Sequence, residues 1–175
     1  RLIPPKNFGL LIRAFVRGRE ECGGHLVILG EGPEREALLN LASEHGVAGD
    51  VHLPGFQQNP FSVIRQADVF ALSSDWEGFG NVVVEAMACG TPVVSTRYEH
   101  GAEEIITEGQ SGLLVPRQNE AEMAEAIARV LTDRALRERL EAGGQARSRD
   151  FDNRRITRSY EDIFQDCALG GGSSC

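Results

Sequence analysis

Residues 77–94 read EGFGNVVVEAMACGTPVV, and the fold turns on how they are parsed. Residues 81–88 are mostly apolar with no breaker among them, which predicts a short helix. Gly90, Thr91 and Pro92 stop that helix and start a buried strand over 92–95. Gly78 and Gly80 remove side chains where a helix start leaves backbone N–H groups without partners. Such a turn is an anion nest, reinforced by the helix dipole. Glu77 stands at its lip, and Glu85 lies about a turn and a half into the helix. An ordinary strand-to-helix turn uses the same glycines, so the pattern by itself leaves the choice open.

Outward from this stretch, short apolar runs alternate with helical patterns. Strands are predicted over 25–29, 51–53, 68–72 and 112–115. Helices are predicted over 33–45, 60–66 and 121–131, the last with Asn119 as N-cap. Strands alternating with helices mean crossover units and a parallel sheet, and continuous apolar strands fit a sheet covered on both faces. The expected fold is therefore α/β: a Rossmann-like parallel sheet with helices on both faces. Charged helices over 134–149 and 154–164 are expected to pack on one side. A parallel sheet takes its ligand beyond the carboxyl ends of its strands, where the helix starting at residue 81 points its N-terminus.

The 175 residues suffice for one domain with a core, and 41% apolar residues is ordinary for a globular chain. The formal charge of -8 disfavours a nucleic-acid partner, which needs a positive face. Cys22, Cys89, Cys167 and Cys175 form no C-x-x-C pair, so free thiols are expected rather than a disulfide framework or a zinc site. No apolar run reaches the roughly 20 residues of a membrane span. Arg1 falls inside what reads as a motif, so the chain is expected to be a piece of a longer one. Residues 1–166 are expected to form the domain, and 167–175 a flexible tail. Asp150 and Asp152 form a D-x-D that can hold a metal on a diphosphate, although a polar loop between two surface helices reads the same way.

Glu77 and Glu85 are separated by seven residues, and EGFGNVVVEAMACGTPVV resembles the E-x7-E signature of family 4 retaining glycosyltransferases of the GT-B fold. RLIPPKNFGLLIRAF, LVILGEGPEREALLNLA, VHLPGF, ADVFALSS and EGQSGLLVP resemble further donor-domain segments, in the expected order. The resemblance covers Arg1 to about Phe164. It implies the donor-binding C-terminal half of an enzyme that moves a sugar from a nucleoside-diphosphate sugar to an acceptor, with retention of configuration. The acceptor domain would be missing, and this piece alone is expected to transfer no sugar.

The same resemblance assigns roles. Arg1 and Lys6 would reach the donor diphosphate. Glu77, with the backbone of Gly78, Phe79, Gly80, Asn81 and Val82, would hold the transferred sugar and phosphate. Glu85 would accept ribose hydroxyls, and Gly30, Gly32, Phe56 and Gln57 would flank the base. His100-Gly101 stands where many relatives have two glycines, and Tyr98, Glu99 and His100 lie where donor-sugar selectivity could be set. No metal and no cofactor are expected. UDP is the first expectation for the donor nucleotide, with GDP and ADP as alternatives. The expected setting is cytoplasmic cell-envelope polysaccharide synthesis, peripheral to the inner face of the membrane where the acceptor is lipid-linked. Two other classes fit less well. A sugar-nucleotide epimerase lacks its acid–base set here, and a flavodoxin-like regulator lacks the acidic cluster after the first strand.

Overall fold

A computed structural model describes residues 1–98, 101–152 and 157. Glu99, His100, the tail, Cys167, Cys175 and the helix predicted over 154–164, apart from the helical Thr157, lie outside the described residues. In chain order the elements are a 3-10 turn Pro4–Lys6, α1 (Phe8–Cys22), β1 (Leu26–Leu29), α2 (Arg35–Glu44), β2 (Val51–Gly55), α3 (Phe61–Ile64), β3 (Phe70–Leu72) and α4 (Asn81–Ala88). Then follow β4 (Val93–Thr96), α5 (Ala102–Ile105), β5 (Leu113–Val115), α6 (Glu120–Thr132), α7 (Arg134–Ser148) and a 3-10 turn Arg149–Phe151.

The strand pairings are all parallel: β1 with β2, β3 with β4, and β4 with β5. They form two sheets, and among the described residues no ladder joins β1 to β3. The N-terminal segment ties the two together at their carboxyl ends. Leu2 N–H donates to the Glu31 carbonyl at 2.9 Å, Asp75 N–H to the Pro5 carbonyl at 2.9 Å, and the Ser73 hydroxyl to the Lys6 carbonyl at 2.9 Å.

Alternation along β4 shows why its two valines can stand side by side. Val93 packs among Val83, Ala86, Met87 and Ile105 on one face. Val94 packs among Leu10, Leu11, Met123 and Val130 on the other. Both faces are covered, so the polar Ser95 and Thr96 that end the strand are buried as well. β1 is less enclosed, with Val27 43% exposed. A third cluster, including Leu2, Ile12, Ile28, Leu38 and Val51, joins the N-terminal segment, α1 and α2 to β1 and β2.

The decisive stretch takes the predicted form. α4 starts after Gly80, whose φ is 96°. It ends as Gly90 (φ 82°) donates to Met87 at 3.0 Å and Thr91 N–H reaches back to Ala86 at 3.1 Å, a left-handed C-terminal stop. Downstream, the Asn119 side chain accepts from Glu122 N–H and caps α6, as read.

Candidate functional site

The loops leaving β1, β2 and β3 and the N-terminus of α4 lie at the carboxyl ends of parallel strands. This is the edge where such a sheet takes ligands. The first turn of α4 has no carbonyl one turn back to receive its N–H groups. Among the described residues, Gly78, Phe79, Gly80, Asn81 and Val82 donate to no backbone carbonyl. Five predicted site residues thus present their peptide groups in one short run. Phe79 is only partly covered, its ring edge-on to Phe151 with centroids 5.6 Å apart.

Lys6 and Glu77, 71 residues apart in sequence, meet here. Lys6 Nζ lies 2.6 Å from both Glu77 oxygens. The Ser74 hydroxyl donates to the same carboxylate at 2.6 Å. Lys6 is brought there because its carbonyl is held by Ser73 and because Asn7 Nδ2 donates to Asp75 at 3.2 Å. Thr96, at the end of β4, closes the bracket by donating to the Ser74 carbonyl at 2.5 Å.

Glu77 is 8% exposed. The sequence places it at a solvated lip; the structure places it inside, beneath Lys6. Ser74 is a functional partner that sequence reasoning passed over, although it stands in the quoted ADVFALSS run.

Glu85 differs. It sits half-buried on α4, and among the described residues its carboxylate has no hydrogen bond or ion pair. The two acids of the motif are thus one committed and one open.

Gly30 and Gly32 lie against the chain start. A Cβ on Gly32 would overlap the Leu2 backbone, and one on Gly30 (φ 122°) would stand 3.4 Å from the Arg1 nitrogen. Gly30 N–H donates to the Gly55 carbonyl at 2.9 Å. Gly30, Gly32, Phe56 and Gln57 are thereby neighbours, with Phe56 74% exposed and Gln57 bonded to the Pro54 carbonyl. Arg1 is exposed beside them. Trp76, 58% exposed, stands next to Glu77 and was given no role from sequence.

Tyr98 is buried and donates its hydroxyl to the Phe79 carbonyl at 2.9 Å. Burial, then the negative charges of Glu77 and Glu104, pushes its phenol up to about 12. Glu99 and His100, the other expected selectivity residues, lie outside the described residues.

Asp150 pairs with Arg147 at 2.8 Å, and Asp152 follows the last 3-10 turn. No group of three or more metal-ligating side chains occurs among the described residues. A cavity of about 480 Å³ lies between α1 and α2, lined by residues such as Asn7, Arg13, Glu34 and Leu41. It includes neither acid of the motif. We place the chemistry at α4, where backbone donors and carboxylates converge, because volume alone recognises nothing.

Comparison with known proteins places the chain in a family. The family described as "Glycosyl transferases group 1" matches residues 1–147. The chain is 38% identical over 158 residues to a Campylobacter jejuni protein named N-acetylgalactosamine-N,N'-diacetylbacillosaminyl-diphospho-undecaprenol 4-alpha-N-acetylgalactosaminyltransferase, covering 90% of this chain and 43% of that one. It is 38% identical over 165 residues to a Rhizobium meliloti lipopolysaccharide core biosynthesis glycosyltransferase, covering 94% and 47%. Among solved structures it resembles Anabaena Alr3699/HepE in complex with UDP and glucose. The TM-score is 0.87 at 26% identity, over 95% of this chain and 46% of that one. The chain spans less than half the length of these curated relatives.

Proposed function

The chain belongs to the group 1 glycosyl transferases, and from that premise we propose that it is the donor-binding half of an enzyme moving a sugar from a nucleoside-diphosphate sugar to an acceptor. Its α/β fold is that of the GT-B glycosyltransferases. One observation carries the proposal. A helix N-terminus whose peptide donors have no backbone partner among the described residues lies beside a Lys–Glu–Ser cluster, and its helix carries a glutamate with no bonded partner among those residues.

The donor diphosphate takes the N–H groups of residues 78–82, with Lys6 and Arg1 supplying positive charge. As the nucleoside diphosphate leaves, negative charge builds on it, and preorganised donors and cations stabilise that charge most where water is excluded. Glu85 accepts the ribose hydroxyls. Glu77 takes hydroxyls of the transferred sugar. Its bond to Lys6 couples the sugar site to the phosphate site, since an ammonium carries three donors. Gly30, Gly32, Phe56 and Gln57 flank the base. UDP is the nucleotide we assign, on the strength of the UDP held by the Anabaena structure.

Transfer proceeds with retention at the anomeric carbon. Double displacement needs two carboxylates roughly 5 Å apart around the bond. Glu85 on the ribose is too remote, and Glu77 is tied to Lys6 and Ser74. A same-face reaction fits better. The bond from the anomeric carbon to the phosphate oxygen breaks, the bond to the acceptor oxygen forms on the same side, and the acceptor proton passes to the departing phosphate. Two cations and a helix N-terminus serve this without a metal.

The relatives' lengths support a further N-terminal domain that supplies the acceptor side. Their names, one with an undecaprenol diphosphate and one with lipopolysaccharide core biosynthesis, support a lipid-linked saccharide acceptor of the cell envelope. Among the described residues no helix is long and apolar enough to cross a membrane.

Calorimetric titration of the chain with UDP, GDP and ADP, each with and without excess chelator, tests the proposal. UDP binding that survives chelation supports it; no binding by any of the three overturns it.

A further inference from the structure

Tyr98 follows β4 and is 4% exposed. It does more than fill volume. Its hydroxyl donates to the Phe79 carbonyl at 2.9 Å. Gly80 has a φ of 96°, and a Cβ there would overlap that hydroxyl and stand 3.0 Å from Tyr98 Cζ. On another side of the same carbonyl, a Cβ on Gly101 (φ 123°) would lie 3.1 Å from Phe79 O. The Phe79 carbonyl is therefore gripped between the segment after β4 and the start of α5.

A trans peptide points its C=O and N–H in opposite directions. A carbonyl drawn onto Tyr98 turns the Gly80 N–H away from it, and the peptide cannot rotate without losing the bond. We propose that Tyr98 is a positioning residue for the donor diphosphate: its hydroxyl sets the plane of the Phe79–Gly80 peptide and so aims the Gly80 N–H at the phosphate. This rests on the assignment of the α4 N-terminus as the diphosphate seat. A phenol held neutral by burial remains a donor at every working pH.

The alternative is that the hydroxyl is bonded only because a buried polar group must be. That alternative predicts a change in stability and no change in how the site ranks ligands. Tyr98→Phe removes one oxygen and keeps the ring. UMP and UDP are titrated into the chain and into the variant, with melting curves as the folding control. The expected result is that the preference for UDP over UMP falls about five- to tenfold in the variant, the scale of one hydrogen bond. An unchanged preference overturns the inference, whatever the absolute affinities. Wild-type chain that binds neither nucleotide overturns the site assignment instead. A second measurement needs no variant: the Gly80 amide proton of the wild-type chain should shift far more with UDP than with UMP. Equal shifts also overturn the inference.

Discussion

Replacing Glu77 with alanine should destabilise the chain, although the residue belongs to a ligand site. Its carboxylate receives both short Lys6 contacts and the Ser74 hydroxyl at 2.6 Å. Ser74 is 0% exposed, so its hydroxyl cannot turn to water when the acceptor goes. An orphaned buried donor costs about 1–3 kcal/mol. Breaking a fully buried ion pair costs about 3–5 kcal/mol. The Lys6 side chain, however, is 25% exposed and its ammonium can swing to solvent, so only part of that cost applies. We expect a loss of about 2–4 kcal/mol. A typical domain has about 5–15 kcal/mol in all, so the variant folds but unfolds early. In urea the midpoint should fall by about 1–2 M at an ordinary slope. Glu85→Ala is the control: with no bonded partner among the described residues, it should lose less than about 0.5 kcal/mol. Adding Lys6→Met to Glu77→Ala should recover part of the loss, because the uncompensated ammonium is gone. A Glu77→Ala loss as small as that of Glu85→Ala would refute the buried-cluster reasoning.

Gly80→Ala should cost about 2–4 kcal/mol in chemical unfolding, since its left-handed backbone and the Tyr98 hydroxyl both exclude a side chain. Gly78→Ala meets open space at an unstrained φ and should stay within about 1 kcal/mol of wild type. Tyr98 ionises near 10 when unfolded and near 12 when folded. Its contribution to stability is therefore complete below pH 10 and lost as the pH rises towards 12; the pH dependence of melting in that window should flatten in Tyr98→Phe. Nucleotide affinity should be unchanged by excess chelator, and a loss would revive a metal role for Asp150 and Asp152.

The helix–stop–strand signal of residues 81–95 was legible because each part has a local cause: an uninterrupted apolar run, a left-handed glycine and two valines. Asn119 was legible for the same reason, as its cap is completed three residues on. α1 was not read from the sequence, where Gly9 and Gly18 weaken its helical pattern. α5 is one turn long, too short to show a period. The division of the strands into two sheets is a matter of which backbones meet, and no residue announces it. Burial of Glu77 was illegible for a related reason. Its partner is 71 residues away and is delivered by bonds from the Ser73 hydroxyl and the Asp75 N–H to carbonyls of the N-terminal segment. At the level of sequence a glutamate beside glycines looks solvated.

The central claim is that the start of α4 seats the donor diphosphate and Glu85 holds the ribose. A crystal structure of the chain with UDP tests it most directly. The account predicts phosphate oxygens within hydrogen-bond distance of N–H groups from residues 78–82, and both ribose hydroxyls on the Glu85 carboxylate. UDP seated in the cavity between α1 and α2, or bound at α4 with Glu85 untouched, would contradict it.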